Sequence, residues 1–137
     1  MGIKLLSSAL MAMLLLTQQQ KSKPRLEGTY KGTSCKISIQ LRATKQGFRY
    51  HLITPKRNVM GTALISLNNK QYTVQLKGAD MDEPSELRSN DYISFSLSKD
   101  TITLQNTGNA MNYYVQLQEC DAKYIVMVKQ KIKHLRN

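Results

Sequence analysis

From Thr33 to Leu41 the residue type changes at every step: Thr33, Cys35, Ile37, Ile39 and Leu41 alternate with Ser34, Lys36, Ser38 and Gln40. A period of two sends one set of side chains to each face of an extended chain, so this is the pattern of a strand buried on one side. The alternation returns at Phe48, Tyr50 and Leu52, set against Arg49 and His51. Val59 to Leu67 is apolar on both faces, as in a central strand or one bent at Gly61. Leu67-Asn68-Asn69-Lys70 then reads as a turn, since Asn tolerates positive φ, and Tyr72, Val74 and Leu76 continue beyond it. After a patternless stretch from Lys77 to Asp91 come Ile93-Phe95-Leu97, Ile102-Leu104, Met111-Tyr113-Val115-Leu117 and Tyr124 to Val128.

These are eight short candidate strands joined by turn signals, with no amphipathic helix among them. The expected fold class is all-β, an antiparallel eight-stranded up-and-down barrel or a sandwich. Cys35 and Cys120 help to choose. They are the only two cysteines, 85 positions apart, one in the first strand and one just before the last. A bond between them ties the start of the sheet to its end, and those elements are neighbours in a closed barrel. Closing so long a loop is worth about 4–5 kcal/mol in the chain-entropy model.

The first seventeen residues have a different character. Lys4 precedes a run from Leu5 to Leu16 that is apolar but for two serines, and polar Thr17-Gln18-Gln19-Gln20 follows. That is the plan of a secretory signal peptide, and the run is shorter than the roughly 20 residues needed to span a bilayer. An uncleaved anchor is the competing reading. The chain therefore divides into a signal peptide (1–17), a polar and basic lead-in (18–25), a single barrel domain (26–133) and a basic tail (134–137). Export, to the periplasm or the medium, fits the paired cysteines.

Chemistry-bearing motifs are scarce. The sequence holds no Gly-x-Ser-x-Gly, no His-Glu-x-x-His and no phosphate-cradling Gly-rich loop, and its two histidines, His51 and His134, lie far from both cysteines. We therefore expect no enzyme, no cofactor and no metal site. Asp80, Asp82, Glu83, Glu86 and Asp91 gather five of nine carboxylates, but without EF-hand spacing. The formal charge of +11 favours polyanions, and Lys129, Lys131 and Lys133, with Arg136 beyond, share one face if the last strand continues. Lys45, Phe48, Arg49 and Tyr50 mix basic and aromatic residues as nucleic-acid binders do, but the pattern assigns both rings to the core and export argues against such a target.

Gly28-Thr29-Tyr30 opens the first strand where lipocalin-like proteins carry Gly-x-Trp. Over residues 28–129 the pattern resembles that family, whose eight-strand meander implies a small secreted barrel around an apolar ligand. The expected function is accordingly a non-catalytic extracytoplasmic protein holding a small apolar or amphipathic ligand. Tyr50, Tyr72, Tyr113 and Tyr124 are the expected inner-face lining. Two other readings stay open: a secreted protein–protein interaction or inhibitor domain acting through surface loops, and polyanion adhesion through the C-terminal lysines. No nucleic-acid partner and no membrane span after processing are expected.

Overall fold

The computed structural model describes residues 25–79 and 92–132. The signal peptide expected at 1–17, the lead-in before Arg25, the acidic stretch 80–91, Lys133, His134 and Arg136 lie outside the described residues. The chain is a closed antiparallel barrel of eight strands in sequence order: β1 (Gly28–Gly32), β2 (Ser38–Thr44), β3 (Gly47–Ile53), β4 (Asn58–Asn68), β5 (Gln71–Lys77), β6 (Tyr92–Ser98), β7 (Thr101–Gln105) and β8 (Tyr124–Lys129). The cylinder closes where β1 pairs with β8, Tyr30 opposite Lys129 and Gly32 opposite Met127. Two backbone bonds extend that seam beyond the ladder, Thr33 N to Val126 O at 3.0 Å and Gln130 N to Thr29 O at 2.7 Å.

The alternation predicts the faces of most strands. Ile39 and Leu41 of β2, Tyr50 and Leu52 of β3, Val74 and Leu76 of β5, Ile93, Phe95 and Leu97 of β6, Ile102 and Leu104 of β7 are all buried. Their neighbours Arg42, Arg49, Thr73 and Thr103 are exposed. The interior through the middle of the cylinder is filled by these side chains, which form one apolar cluster. That is the outcome expected when eight strands enclose ordinary aliphatic residues.

Two strand assignments need correction. Of the first strand expected at 33–41, only 38–41 is in a strand, the start of β2; β1 precedes it at Gly28–Gly32, and 33–37 is the connection between them, turned back on itself through Gly32 N to Ile37 O (2.8 Å) and Ile37 N to Cys35 O (2.8 Å). Cys35 is thus in a connection rather than a strand. Met111 to Leu117 is not a strand either. It belongs to the connection between β7 and β8, and its only ladder contact among the described residues is an isolated bridge, Thr107 with Val115. The alternation there is accidental, because Met111 and Tyr113 face solvent while Leu117 is buried.

Two local features follow from residue chemistry. At the β4–β5 hairpin Asn69 (φ 48°) and Lys70 (φ 65°) both take positive φ, the geometry whose twist matches the flanking strands. In β4, Gly61 lies against the Tyr50 ring: a Cβ there would come within 2.9 Å of both the ring and the Lys77 carbonyl. Its missing side chain lets Tyr50 donate its hydroxyl hydrogen to Lys77 O at 2.6 Å.

Candidate binding site

In a meander of antiparallel strands the connections fall alternately at two ends of the cylinder, and here the two ends are built differently. One end gathers the β1–β2, β3–β4, β5–β6 and β7–β8 connections. Cys35 and Cys120 form a disulfide across it, with Cα atoms 5.9 Å apart. Beneath lies Asn106, wholly buried at the end of β7. Its side-chain amide donates toward the carbonyls of Leu117 (3.1 Å), Cys120 (2.7 Å) and Ala122 (3.1 Å), and its Oδ1 accepts from Leu117 N at 2.7 Å. This single residue shapes the β7–β8 connection into a lid and seats Leu117 in the core.

Gln116 fixes the same lid from outside. β6 and β7 pair only from Ser96–Thr103 to Ser98–Thr101. Where they part, the Gln116 amide enters: Oε1 accepts from Ser94 N (2.9 Å), and Nε2 donates to Ser94 O (3.3 Å) and Gln105 O (2.8 Å). The β3–β4 connection contributes a charge. Thr54 Oγ1 accepts from Lys56 N (3.2 Å) and Arg57 N (2.9 Å), a tight turn that points Arg57 inward. Arg57 pairs through Nε with Glu119 Oε1 and donates through Nη1 to Ala79 O (2.9 Å), both side chains of the ion pair being about 95% buried (5% and 4% exposed). The other carboxylate oxygen of Glu119 is buried with no hydrogen-bond partner among the described residues.

The opposite end is open. It gathers the β2–β3, β4–β5 and β6–β7 hairpins, the entry into β1 and the exit from β8. Between the first two hairpins and the entering chain lies a hollow of about 1000 Å³, open to solvent and lined chiefly by Leu26, Phe48, Ala63, Ile65, Leu67 and Tyr72. These positions share the inner face, since Phe48 pairs with Ala63 and Leu67 with Tyr72. Leu67, at the strand end, is 61% exposed. Arg25 and Glu27 edge the hollow: their side chains approach to 3.8 Å, and Glu27 Oε1 accepts from Ala43 N at 2.8 Å. Tyr30 stands beside the seam with its hydroxyl donating to Leu26 O (2.7 Å). Burial pushes its phenol up to about 12, and the nearby Asp100 carboxylate adds to the rise. Burial also raises Tyr50, against a smaller lowering by Arg49.

Of the four tyrosines expected to line the interior, Tyr72 borders the hollow and Tyr50 is core. Tyr113 (77% exposed) and Tyr124 (53% exposed) are on the outside. Tyr113 fails because its segment is not a strand. Tyr124 fails on parity, since Ile125 and Met127 take the inner positions of β8. Of the lysine stripe, only Lys129 and Lys131 are among the described residues. β8 ends at Lys129, whose side chain lies along Gly28 and delivers its ammonium to Arg25 O at 2.6 Å, 5.8 Å from the Tyr30 ring centre. Lys129 is therefore an inner-face residue closing the seam, and Lys131 is exposed beyond it. His51 is on the outer face, bonded to Asn58 at 2.6 Å. Leu26, Ile65 and Leu67 are not among the expected lining residues, although the doubly apolar run in β4 is the signal for the last two. Among the described residues no three His, Cys, Asp or Glu side chains gather as metal ligands do.

Compared with protein-family models, curated proteins and solved structures, the chain finds no match.

Proposed function

We propose that this is a non-catalytic extracytoplasmic binding protein that takes the apolar part of an amphipathic molecule at the open mouth of its barrel. The observation that carries this reading is the apolar hollow of about 1000 Å³, within the range of ligand-sized clefts and placed at the barrel mouth, where such sites recur. Because the middle of the cylinder is filled, the ligand belongs at the mouth rather than along the axis. The likeness to lipocalin-like barrels enters as an analogy of architecture, which does not itself carry function. Export is part of the proposal, and the Cys35–Cys120 disulfide supports it, since such bonds persist in oxidising compartments.

Titration with dodecanoate, read by displacement of a fluorescent naphthalene sulfonate, tests the reading. Saturable one-site binding is expected, weakened at least tenfold by Ile65→Asp and unchanged by Tyr113→Ser. Absence of saturation, or indifference to Ile65→Asp, would sink it.

A second reading has its own observation. The β7–β8 lid is held by Asn106, Gln116 and the disulfide, and it presents Met111 (96% exposed) and Tyr113 above an Asn109 turn (Met111 N and Asn112 N to Oδ1, 3.0 and 2.9 Å). A rigid loop tipped with large side chains suits insertion into a partner's cleft. Capture of a single envelope or secreted protein that is lost on Met111→Ala/Tyr113→Ala would favour it over the ligand-binding role.

A further inference from the structure

The open end carries a second pattern that the hollow does not explain. Each of its three hairpins has a lysine at the tip: Lys45 between β2 and β3, Lys70 between β4 and β5, Lys99 between β6 and β7. Lys131 follows the end of β8 and Arg25 precedes β1, so basic residues surround the mouth, and all five are exposed. None of the four lysines is in an ion pair among the described residues. The carboxylates described at this end are Glu27, occupied by Ala43 N and near Arg25, and Asp100.

Large apolar side chains stand among the lysines. Leu64, Leu67 and Ile132 are exposed at the same end, Ile132 beside Lys131. Burying them in a partner would be favourable, and leaving three such residues in water next to a solvent-filled hollow is not. Among the described residues, the connections at the other end carry Lys36, Lys56, Arg57 and Lys123 against Glu119 and Asp121.

We infer that the open end docks face-on against an anionic lipid surface, with the hairpin-tip lysines at the headgroups and Leu64, Leu67 and Ile132 at the acyl boundary. A ring of cations around exposed apolar side chains matches the layering of such a surface, where anionic groups lie above hydrocarbon. A soluble polyanion would satisfy the lysines and leave the leucines in water. The inference does not rest on the hollow holding a ligand.

Co-sedimentation with vesicles tests it, using phosphatidylglycerol–phosphatidylcholine mixtures, phosphatidylcholine alone, and heparin resin as the soluble-polyanion arm. Each basic residue near an anionic surface strengthens binding roughly fivefold, so Lys45→Gln/Lys70→Gln/Lys99→Gln should weaken binding to the mixed vesicles roughly 100-fold. The closed-end set Lys36→Gln/Lys56→Gln/Lys123→Gln should change it less than about fivefold. Ile132→Ser, outside the hollow, should reduce vesicle binding and leave heparin retention unaltered. Circular dichroism checks that the variants fold, and dodecanoate titration of the same proteins reads the hollow separately. The inference is overturned if mixed vesicles do not bind while heparin does, if neutral vesicles bind as well, or if the two lysine sets weaken binding equally.

Discussion

The two ends of this barrel share eight strands and one apolar core, yet they spend their side chains on different things. At the closed end several polar side chains are engaged within the fold: Asn106 makes four hydrogen bonds to three residues within 3.1 Å, Gln116 bridges two strands, and Arg57 meets Glu119 out of water. At the open end polar groups face outward and the inward positions are aliphatic or aromatic, partly wet. A polar network of this kind specifies one geometry, because a displaced member leaves buried groups unsatisfied. An apolar rim specifies no orientation and rewards whatever covers it. One end is built to hold shape, the other to receive.

This contrast gives measurable consequences, the largest at the closed end. Cys35→Ala/Cys120→Ala should lower stability to urea by about 4–5 kcal/mol, the loop-entropy value for an 85-residue separation. A loss under about 1 kcal/mol would mean the lid is held without its cross-link. Asn106→Asp is next. A carboxylate cannot donate to three carbonyls, so about 2–3 kcal/mol should be lost, and near-ultraviolet dichroism should report a loosened β7–β8 connection. Alkali should act from the other side of the molecule. Tyr30 holds its proton in the folded state up to about 12, above the ordinary value of 10.0, so the folded form binds more protons between those values. Stability is therefore full below about pH 10 and falls as pH rises towards 12. In Tyr30→Phe that alkaline slope should flatten. The smallest effect on stability belongs to the open end: Leu67→Ser should shift the urea midpoint by under about 0.5 kcal/mol while weakening dodecanoate binding severalfold. If it instead costs as much as Asn106→Asp, the division between a rigid and a receptive end is wrong.

Most of the barrel was legible because the two-residue period is a local signal. The alternation in β2, β3, β5, β6 and β7 reads directly into buried and exposed faces. The cysteine pair carried the long-range information, tying the connections beside the first and last strands. What failed was decided by partners far away in sequence. β1 has one buried residue, Tyr30, between two glycines, too little to show a period. Met111 to Leu117 showed one, but its conformation is set by Asn106 and Gln116 bonding across the lid rather than by its own sequence. The mouth was harder still. Its members come from the lead into β1, the start of β3, the end of β4 and the start of β5, and only the register brings Phe48, Ile65, Leu67 and Tyr72 together. The tip lysines were present as isolated turn residues, and the topology is what ranks them at one end.

An even number of strands has a practical corollary. The polypeptide goes into β1 and comes out of β8 at the receptive mouth, with Lys129 bonded to the carbonyl of Arg25. Any affinity tag, fluorescent fusion or surface linker attached next to those strands is therefore delivered beside the face whose contacts are to be measured. An engineer wanting an unobstructed mouth would graft the handle into the β3–β4 turn at Pro55-Lys56, exposed at the far side of the cylinder.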